Sequence, residues 1–237
     1  MVTDSGPVWL VVTDVDGTLI GDDDGWLRLG ESLAVHPEVL LIPNSSRPLA
    51  SLKKSWARQS RPIPFRAQVG ALGTEVSVGG DDVGWSHRFS SFDRTPIDRL
   101  MTNMGFQTNG DEFQTPLKAS YAVPKDRWGR VAELLQVCPP LKVVTSGVSD
   151  FDAIPVGAGK HAPIQFLADR FRVDPSRVVA VGDSTNDLDM LLSAQYRIVV
   201  GNADPALIDA IGGRSFVSHG THANGVLEGL QALGLAN

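Results

Sequence analysis

The sequence predicts an α/β protein, a parallel-sheet core interrupted by an inserted α+β unit, and three observations carry that expectation. Residues 8–12 form a continuous apolar run, as a strand buried on both faces requires, and the run stops at Asp14-Val15-Asp16-Gly17-Thr18. Residues 178–181 have the same character and stop at Gly182-Asp183-Ser184-Thr185-Asn186-Asp187. Between them, over residues 82–158, short strands and two amphipathic helices replace the strand–helix alternation. The predicted division is therefore 1–81 with 159–237 for the core, and 82–158 for the insertion.

The elements follow in order. After the first strand comes the acidic loop Gly21-Asp22-Asp23-Asp24-Gly25, then a helix over residues 26–35 with Leu27, Leu29 and Leu33 at helical spacing. A second buried strand, 39–42, ends in Asn44-Ser45-Ser46-Arg47-Pro48, and Pro48 suits the first turn of a helix carrying Leu49, Leu52 and Trp56. A third strand is predicted at 67–72, followed by turns at Gly73-Thr74-Glu75 and Gly79-Gly80-Asp81. The insertion is predicted to hold strands at 87–89, 117–123, 141–145 and 151–154. Its helices are placed at 96–104, with Ile97 and Met101 inward, and at 125–137, with Val131 and Leu135 inward. The core resumes with a helix over 160–171, the strand 178–181, a helix bearing Leu188 and Leu191, and a strand at 197–200. A turn at Asn202, a helix over 206–211 and a last helix with Val226, Leu227 and Leu230 complete it.

Composition narrows the function classes. At 237 residues the chain can bury a substantial core, and 42% hydrophobic content against 20% charged excludes a disordered one. No apolar run is long enough to cross a bilayer, Asp4 precedes the first apolar segment and no basic leader is present, so a cytoplasmic protein is expected. The single cysteine, Cys138, forms no intramolecular disulfide, in keeping with a reducing compartment. A net charge of −6 without Lys/Arg clusters argues against nucleic acid as a partner. A small ligand is expected instead, on a monomer or weak dimer.

Polar clusters at strand ends suggest what that ligand is. In an open α/β sheet, ligands gather at the carboxyl ends of the strands. Asp14 with Asp16, Ser45 with Ser46 and Arg47, Lys160 at a helix start, and Asp183 with Asp187 all fall at such positions. Carboxylates crowded together repel unless a cation neutralises them, and Mg²⁺ is the hard ion that takes a few carboxylates, waters and a phosphate. Asp14, Asp16, Asp183 and Asp187 are its candidate ligands, with Asp187 placed to brace from one helical turn further on. The set fits phosphoryl transfer. A carboxylate at Asp14 attacks phosphorus, Asp16 exchanges a proton with the leaving alkoxide and then with water, Ser45 donates to phosphate, and Lys160 supplies a point positive charge.

These motifs, in this order, resemble those of the haloacid-dehalogenase-like phosphatase superfamily. Asp14-Val15-Asp16-Gly17-Thr18 is similar to its first motif, Ser45 to its second, Lys160 to its third and Gly182-Asp183-Ser184-Thr185-Asn186-Asp187 to its fourth. The resemblance covers nearly the whole chain. It implies a Rossmann-like core, a large inserted α/β cap, dependence on Mg²⁺ and hydrolysis of a small phosphomonoester. The cap and its borders are similar to the sucrose-phosphate phosphatase branch through Gly73-Thr74-Glu75, Lys118-Ala119-Ser120-Tyr121, Thr145-Ser146-Gly147 with Asp152 and Pro155, and Thr221-His222-Ala223. That branch implies a phosphorylated disaccharide or glycoside, such as sucrose 6-phosphate, contacted by Ser45, Ser46, Arg47, Thr74, Lys118, Lys160 and Asn186. The chain departs from the pattern at Ser46, where Gly is usual, at His161, where Gly commonly follows the Lys, and at Gly17, where sucrose phosphatases often carry Asn. The hydrolase reading is unaffected, but the sugar is left open. Two alternatives stay open as well: a phosphosugar mutase or phosphotransferase, and a catalytically silent sugar-binding partner of a glycosyltransferase.

Overall fold

The computed structural model describes residues 8–213 and 215–237. Residues 1–7, assigned to the core from the sequence, lie outside the described residues. In chain order the elements are β1 (Trp9–Thr13), α1 (Asp23–Val35), β2 (Val39–Pro43), α2 (Leu49–Trp56), β3 (Ala67–Gly70), β4 (Glu75–Val78), β5 (Asp81–Asp82), α3 (Thr95–Asn103), β6 (Gln107–Thr108), β7 (Ala119–Ala122), α4 (Trp128–Leu134), β8 (Leu141–Ser146), β9 (Asp150–Pro155), α5 (Ala162–Phe171), β10 (Val178–Gly182), α6 (Leu188–Leu192), β11 (Tyr196–Val199), α7 (Pro205–Ile211), β12 (Phe216–Val217) and α8 (His222–Ala232).

The core is a five-stranded parallel sheet in the order β12-β11-β10-β1-β2. Side chains alternate across a strand, and β1 divides its apolar residues accordingly. Leu10 and Val12 pack with Ile164 and Leu167 of α5 and Met190 of α6, while Val11 packs with Leu29 of α1 and Val226 and Leu230 of α8. Both faces are thus covered by helices, which is why the strands read as unbroken apolar runs. The chain moves outward from β1 through β2 on one side and from β10 through β12 on the other. The order reverses between β1 and β10, and a doubly wound sheet opens its ligand crevice at that point.

Helix ends follow local chemistry. Asp22 caps α1 by accepting from the Gly25 amide at 3.1 Å, so the helix begins at Asp23, earlier than the apolar spacing suggests. Pro48 precedes α2, and Pro163 sits in the first turn of α5. Beyond β2, β3 joins the sheet through one parallel bridge, Asn44 with Val69, and then pairs antiparallel with β4 and β5. No helix among the described residues is long and apolar enough to cross a membrane.

The insertion is an antiparallel sheet in the order β6-β7-β9-β8, with α3 and α4 on one face. Ala119, Tyr121, Phe151 and Ala153 point to those helices, meeting Ile97, Met101, Val131 and Leu135. Period two sends the intervening residues to the other face. Val144 and Ile154 on that face pack against the core, and Lys118, Ser120 and Asp152 are buried there. One predicted strand is corrected: residues 87–89 belong to a 3₁₀ helix, Trp85–Phe89. Trp85 donates from its indole to the Gly73 carbonyl at 2.8 Å, and its ring lies 5.0 Å from that of Phe166. Trp85 and Phe89 therefore pack with the core cluster, although they lie beyond residue 82.

Candidate active site

Three carboxylates and one ammonium meet at the ends of β1 and β10. The Asp14 amide donates to the Val181 carbonyl at 2.9 Å, which ties the end of one strand to the next. Lys160, two residues before α5, is 1% exposed. Its Nζ lies 2.5 Å from Asp14 Oδ1, 2.6 Å from Asp187 Oδ1 and 3.2 Å from Asn186 Oδ1. Asp183 accepts from the Thr18 hydroxyl at 3.0 Å, and Asp187 Oδ2 accepts from the Asp183 and Ser184 amides at 3.1 and 3.2 Å. Gly17 is what lets these loops meet. Its φ is +85°, and a Cβ there would stand 2.5 Å from Asp183 Oδ2.

One ammonium does not balance three acids in a buried site. Burial first, then repulsion from Asp183, raises the Asp14 carboxyl to about 7 against the opposing pull of Lys160. Burial and Asp14 likewise raise Asp187 to about 6, and burial and Asp187 raise Asp183. Burial works against the charge on Lys160, but Asp14 and Asp187 more than offset it and hold the ammonium well above its usual value. Oxygens of Asp14, Asp183 and Asp187 all lie within 4.8 Å of one another. A hard divalent cation fits this all-oxygen donor set and the surplus negative charge.

Asp16 stands apart from that group. Expected among the metal ligands, its carboxylate instead pairs with Arg47, Nε to Oδ2 at 2.8 Å, at the open side of the site. Period two would keep Asp14 and Asp16 on one side, but β1 ends at Thr13 and the chain bends at Val15, so Asp16 leaves the line of Asp14. Arg47, expected on phosphate, is held between Asp16 and the Ser55 hydroxyl, the latter at 2.8 Å. Ser45 is buried, and its Oγ accepts from the Arg47 amide at 3.0 Å; Ser46 between them is half-buried. The loop is gripped from β3's end, where Ala71 and Leu72 take φ of 47° and 56° and their amides bond the Arg47 and Ser45 carbonyls at 2.8 and 3.1 Å. The strand predicted over 67–72 therefore stops at Gly70. Non-glycine residues in this region carry local strain, here beside the site.

Two expected substrate contacts lie elsewhere. Thr74 is fully buried and its hydroxyl is spent on the Ala71 carbonyl at 2.9 Å, because the turn after β3 folds it inward. Lys118 is on the cap, 2% exposed, with Nζ 3.1 Å from Asp152 Oδ1. Its loop forms one wall of a cavity of about 640 Å³, together with Leu49, Lys53 and Glu75 of the core.

Several residues of the site were not singled out from the sequence. Asn44 is fully buried and donates to the Lys160 carbonyl at 2.7 Å, fixing the lysine from β2's end. Its place directly before Ser45 was the available signal. Asn202 donates to the Gly17 carbonyl and accepts from the His222 amide, each at 2.8 Å. Lys142 of the cap reaches Asp189 at 2.7 Å, and His161 meets the same carboxylate at 2.9 Å. Nothing in the local sequence pairs these last residues, which converge only through the fold.

Known proteins share this chain's sequence and fold over most of its length. The family model described as Sucrose-6F-phosphate phosphohydrolase matches residues 7–234. The mannosylfructose-phosphate phosphatase of Agrobacterium fabrum is 28% identical, over 97% of this chain and 98% of that protein. A probable sucrose-phosphatase, 3a, of Arabidopsis thaliana is also 28% identical, over 85% of this chain; the chain spans 52% of that longer protein. Among solved structures, the sucrose-phosphatase of Synechocystis, in complex with sucrose and phosphate, superposes with a TM-score of 0.86 at 23% identity, covering 97% of this chain and 99% of that one. With the family model matched over nearly its whole length, the chain belongs to the sucrose-6F-phosphate phosphohydrolase family.

Proposed function

We propose that the protein hydrolyses the phosphomonoester of a disaccharide or similar glycoside through an aspartyl-phosphate at Asp14. The observation that carries this reading is the Asp14 carboxylate, held at a strand end 2.5 Å from Lys160 with Asp183 and Asp187 beside it. An Asp14 oxygen attacks phosphorus, and the bond from phosphorus to the sugar oxygen breaks. Asp16, protonated once its pairing with Arg47 opens, gives its proton to that departing oxygen. It then takes one from the water that attacks the phosphorylated Asp14, and inorganic phosphate leaves. Lys160 steadies the carboxylate and the charge on phosphate throughout, while the Ser45 loop presents hydroxyl and amide donors. Asp14, Asp183 and Asp187 would hold Mg²⁺, which when bound offsets the negative charge between nucleophile and substrate.

The substrate class rests on the cap. Its polar face, with Lys118, Ser120 and Asp152, is turned toward the core and buried, which suits reading hydroxyl groups. The names of the relatives support a phosphorylated disaccharide, and mannosylfructose phosphate and sucrose 6F-phosphate are the first esters to try. Free phosphate as product separates hydrolysis from transfer to a second sugar. Asp14→Asn should abolish phosphate release with an unchanged circular dichroism spectrum. Turnover above about a hundredth of the parent rate would remove Asp14 as nucleophile. No release from any disaccharide, hexose or glycosylglycerate phosphate would overturn the reading as a whole.

A further inference from the structure

The cap loop that carries Lys118 is tied down by a single arginine that lies outside the catalytic centre. Thr115 to Lys118 make a tight turn, closed by the Thr115 amide on the Lys118 carbonyl at 3.1 Å and the Lys118 amide on the Thr115 carbonyl at 3.3 Å. Both carbonyls also accept from Arg94, Nη1 to Thr115 O at 2.6 Å and to Lys118 O at 2.9 Å. Arg94 Nη2 bonds Gln114 Oε1 at 3.0 Å and Asp98 Oδ1 at 2.9 Å, and Nε bonds Asp98 Oδ2 at 2.8 Å. A guanidinium has five N–H donors in a fixed plane, and here every one has an acceptor. Asp98 is itself held by the Tyr121 hydroxyl. Gln114 clasps Ser120 through both the Ser120 amide, at 3.0 Å, and its carbonyl, at 2.7 Å.

The consequence falls on the far side of the loop. Leu117 packs against the core cluster, Thr115 to Leu117 line the cavity shared with Leu49 and Glu75, and Lys118 is buried against Asp152. We infer that Arg94, aimed by Asp98, is a positioning residue that sets the Thr115–Lys118 turn against the core and thereby governs affinity for the sugar part of the substrate. Arg94 acts through the loop backbone and touches neither the phosphate site nor Lys118's ammonium. This rests on the reading that the cap recognises a sugar.

The test compares Arg94→Lys with the parent on sucrose 6F-phosphate and on p-nitrophenyl phosphate, a monoester without a sugar. Lysine keeps the charge but cannot meet five acceptors in one plane. The expected result is a KM for the sugar ester raised about tenfold, with kcat/KM for p-nitrophenyl phosphate changed less than twofold. Asp98→Asn, which leaves Arg94 in place but loosens its aim, should give a smaller shift in the same direction, and it serves if Arg94→Lys does not fold. Hydrogen exchange at the Thr115 and Lys118 amides should quicken in both variants. A variant that loses both substrates in equal proportion, or leaves the ratio and the exchange unchanged, would overturn the assignment of Arg94. Should the parent prefer none of the disaccharide, hexose and glycosylglycerate phosphates to p-nitrophenyl phosphate, the sugar reading fails, and unchanged exchange would then refute the positioning role independently.

Discussion

Lys160 in the core and Lys118 in the cap are both almost wholly buried, at 1% and 2% exposed, and both lie against carboxylates. Their company differs. Lys160 faces Asp14 and Asp187 with Asp183 alongside, whereas Lys118 is paired with the Asp152 carboxylate, also reaches the Phe113 carbonyl at 3.4 Å, and feels Glu75 of the core from further off, with Ser120 paired across the sheet with Asp152. The core cluster thus carries more negative charge than Lys160 can neutralise, and a cation would complete it. The cap pair is balanced and offers shape and polarity. A buried ion pair is costly to break but adds little net stability, so this one orients the two side chains more than it stabilises the fold. On the proposed function, chemistry and recognition would be divided between an unbalanced site and a balanced one.

The sharpest way to break this contrast is to remove each lysine. Lys160→Met leaves three crowded acids and no ammonium, and turnover measured by phosphate release should fall about a thousandfold. Lys118→Met should act chiefly through KM for the sugar ester, by about tenfold, with a far smaller loss of kcat. If Lys118→Met cost as much in kcat as Lys160→Met, the division of labour would not hold.

Charge surplus makes a smaller prediction about stability. Asp14 at about 7 and Asp187 at about 6 lie above the values of an unfolded chain, so the folded state binds the extra protons. Without a cation, their contribution to stability is present at low pH and is lost as pH rises through that window. Mg²⁺ should therefore raise Tm by a few degrees, and by more at pH 8 than at pH 5, where protons compete for the same oxygens. Equal gains at the two pH values in scanning calorimetry would count against the unbalanced cluster.

Most of the core was legible because its signals are local. Buried parallel strands leave unbroken apolar runs, so β1 and β10 declare themselves, and the acids that follow them need no long-range information. The 3₁₀ helix at Trp85–Phe89 was not legible, because a short aromatic and basic run fits a strand equally well until Phe166 is known to lie beneath it. The same limit hid the direction of Asp16. Spacing places it near Asp14, but only Arg47 on a neighbouring loop turns its carboxylate away from the other acids. Thr74 failed for a related reason, since a turn's hydroxyl finds its own backbone before any ligand. Asn44 stands beside Ser45 in the sequence, but its acceptor, like those of Arg94, is legible only in three dimensions.

The interleaved order β12-β11-β10-β1-β2 also dictates when the molecule can assemble. The inner strand β1 pairs with β10, whose residues follow the whole insertion, and Asp14 meets Lys160 across a separation of 146 residues. The cap, by contrast, has its own cluster of Ile97, Met101, Tyr121, Val131 and Phe151, formed from nearby sequence. Contacts that close short loops form sooner than those that close long ones. The cap is therefore expected to fold first, and β1, with Asp14 at its end, waits for chain made long after it. Pulse-labelled hydrogen exchange during refolding should protect the amides of β7 and β9 before those of β1, and the reverse order would refute this sequence of events. On a ribosome the unit that selects the substrate would take shape before the site that cleaves it exists.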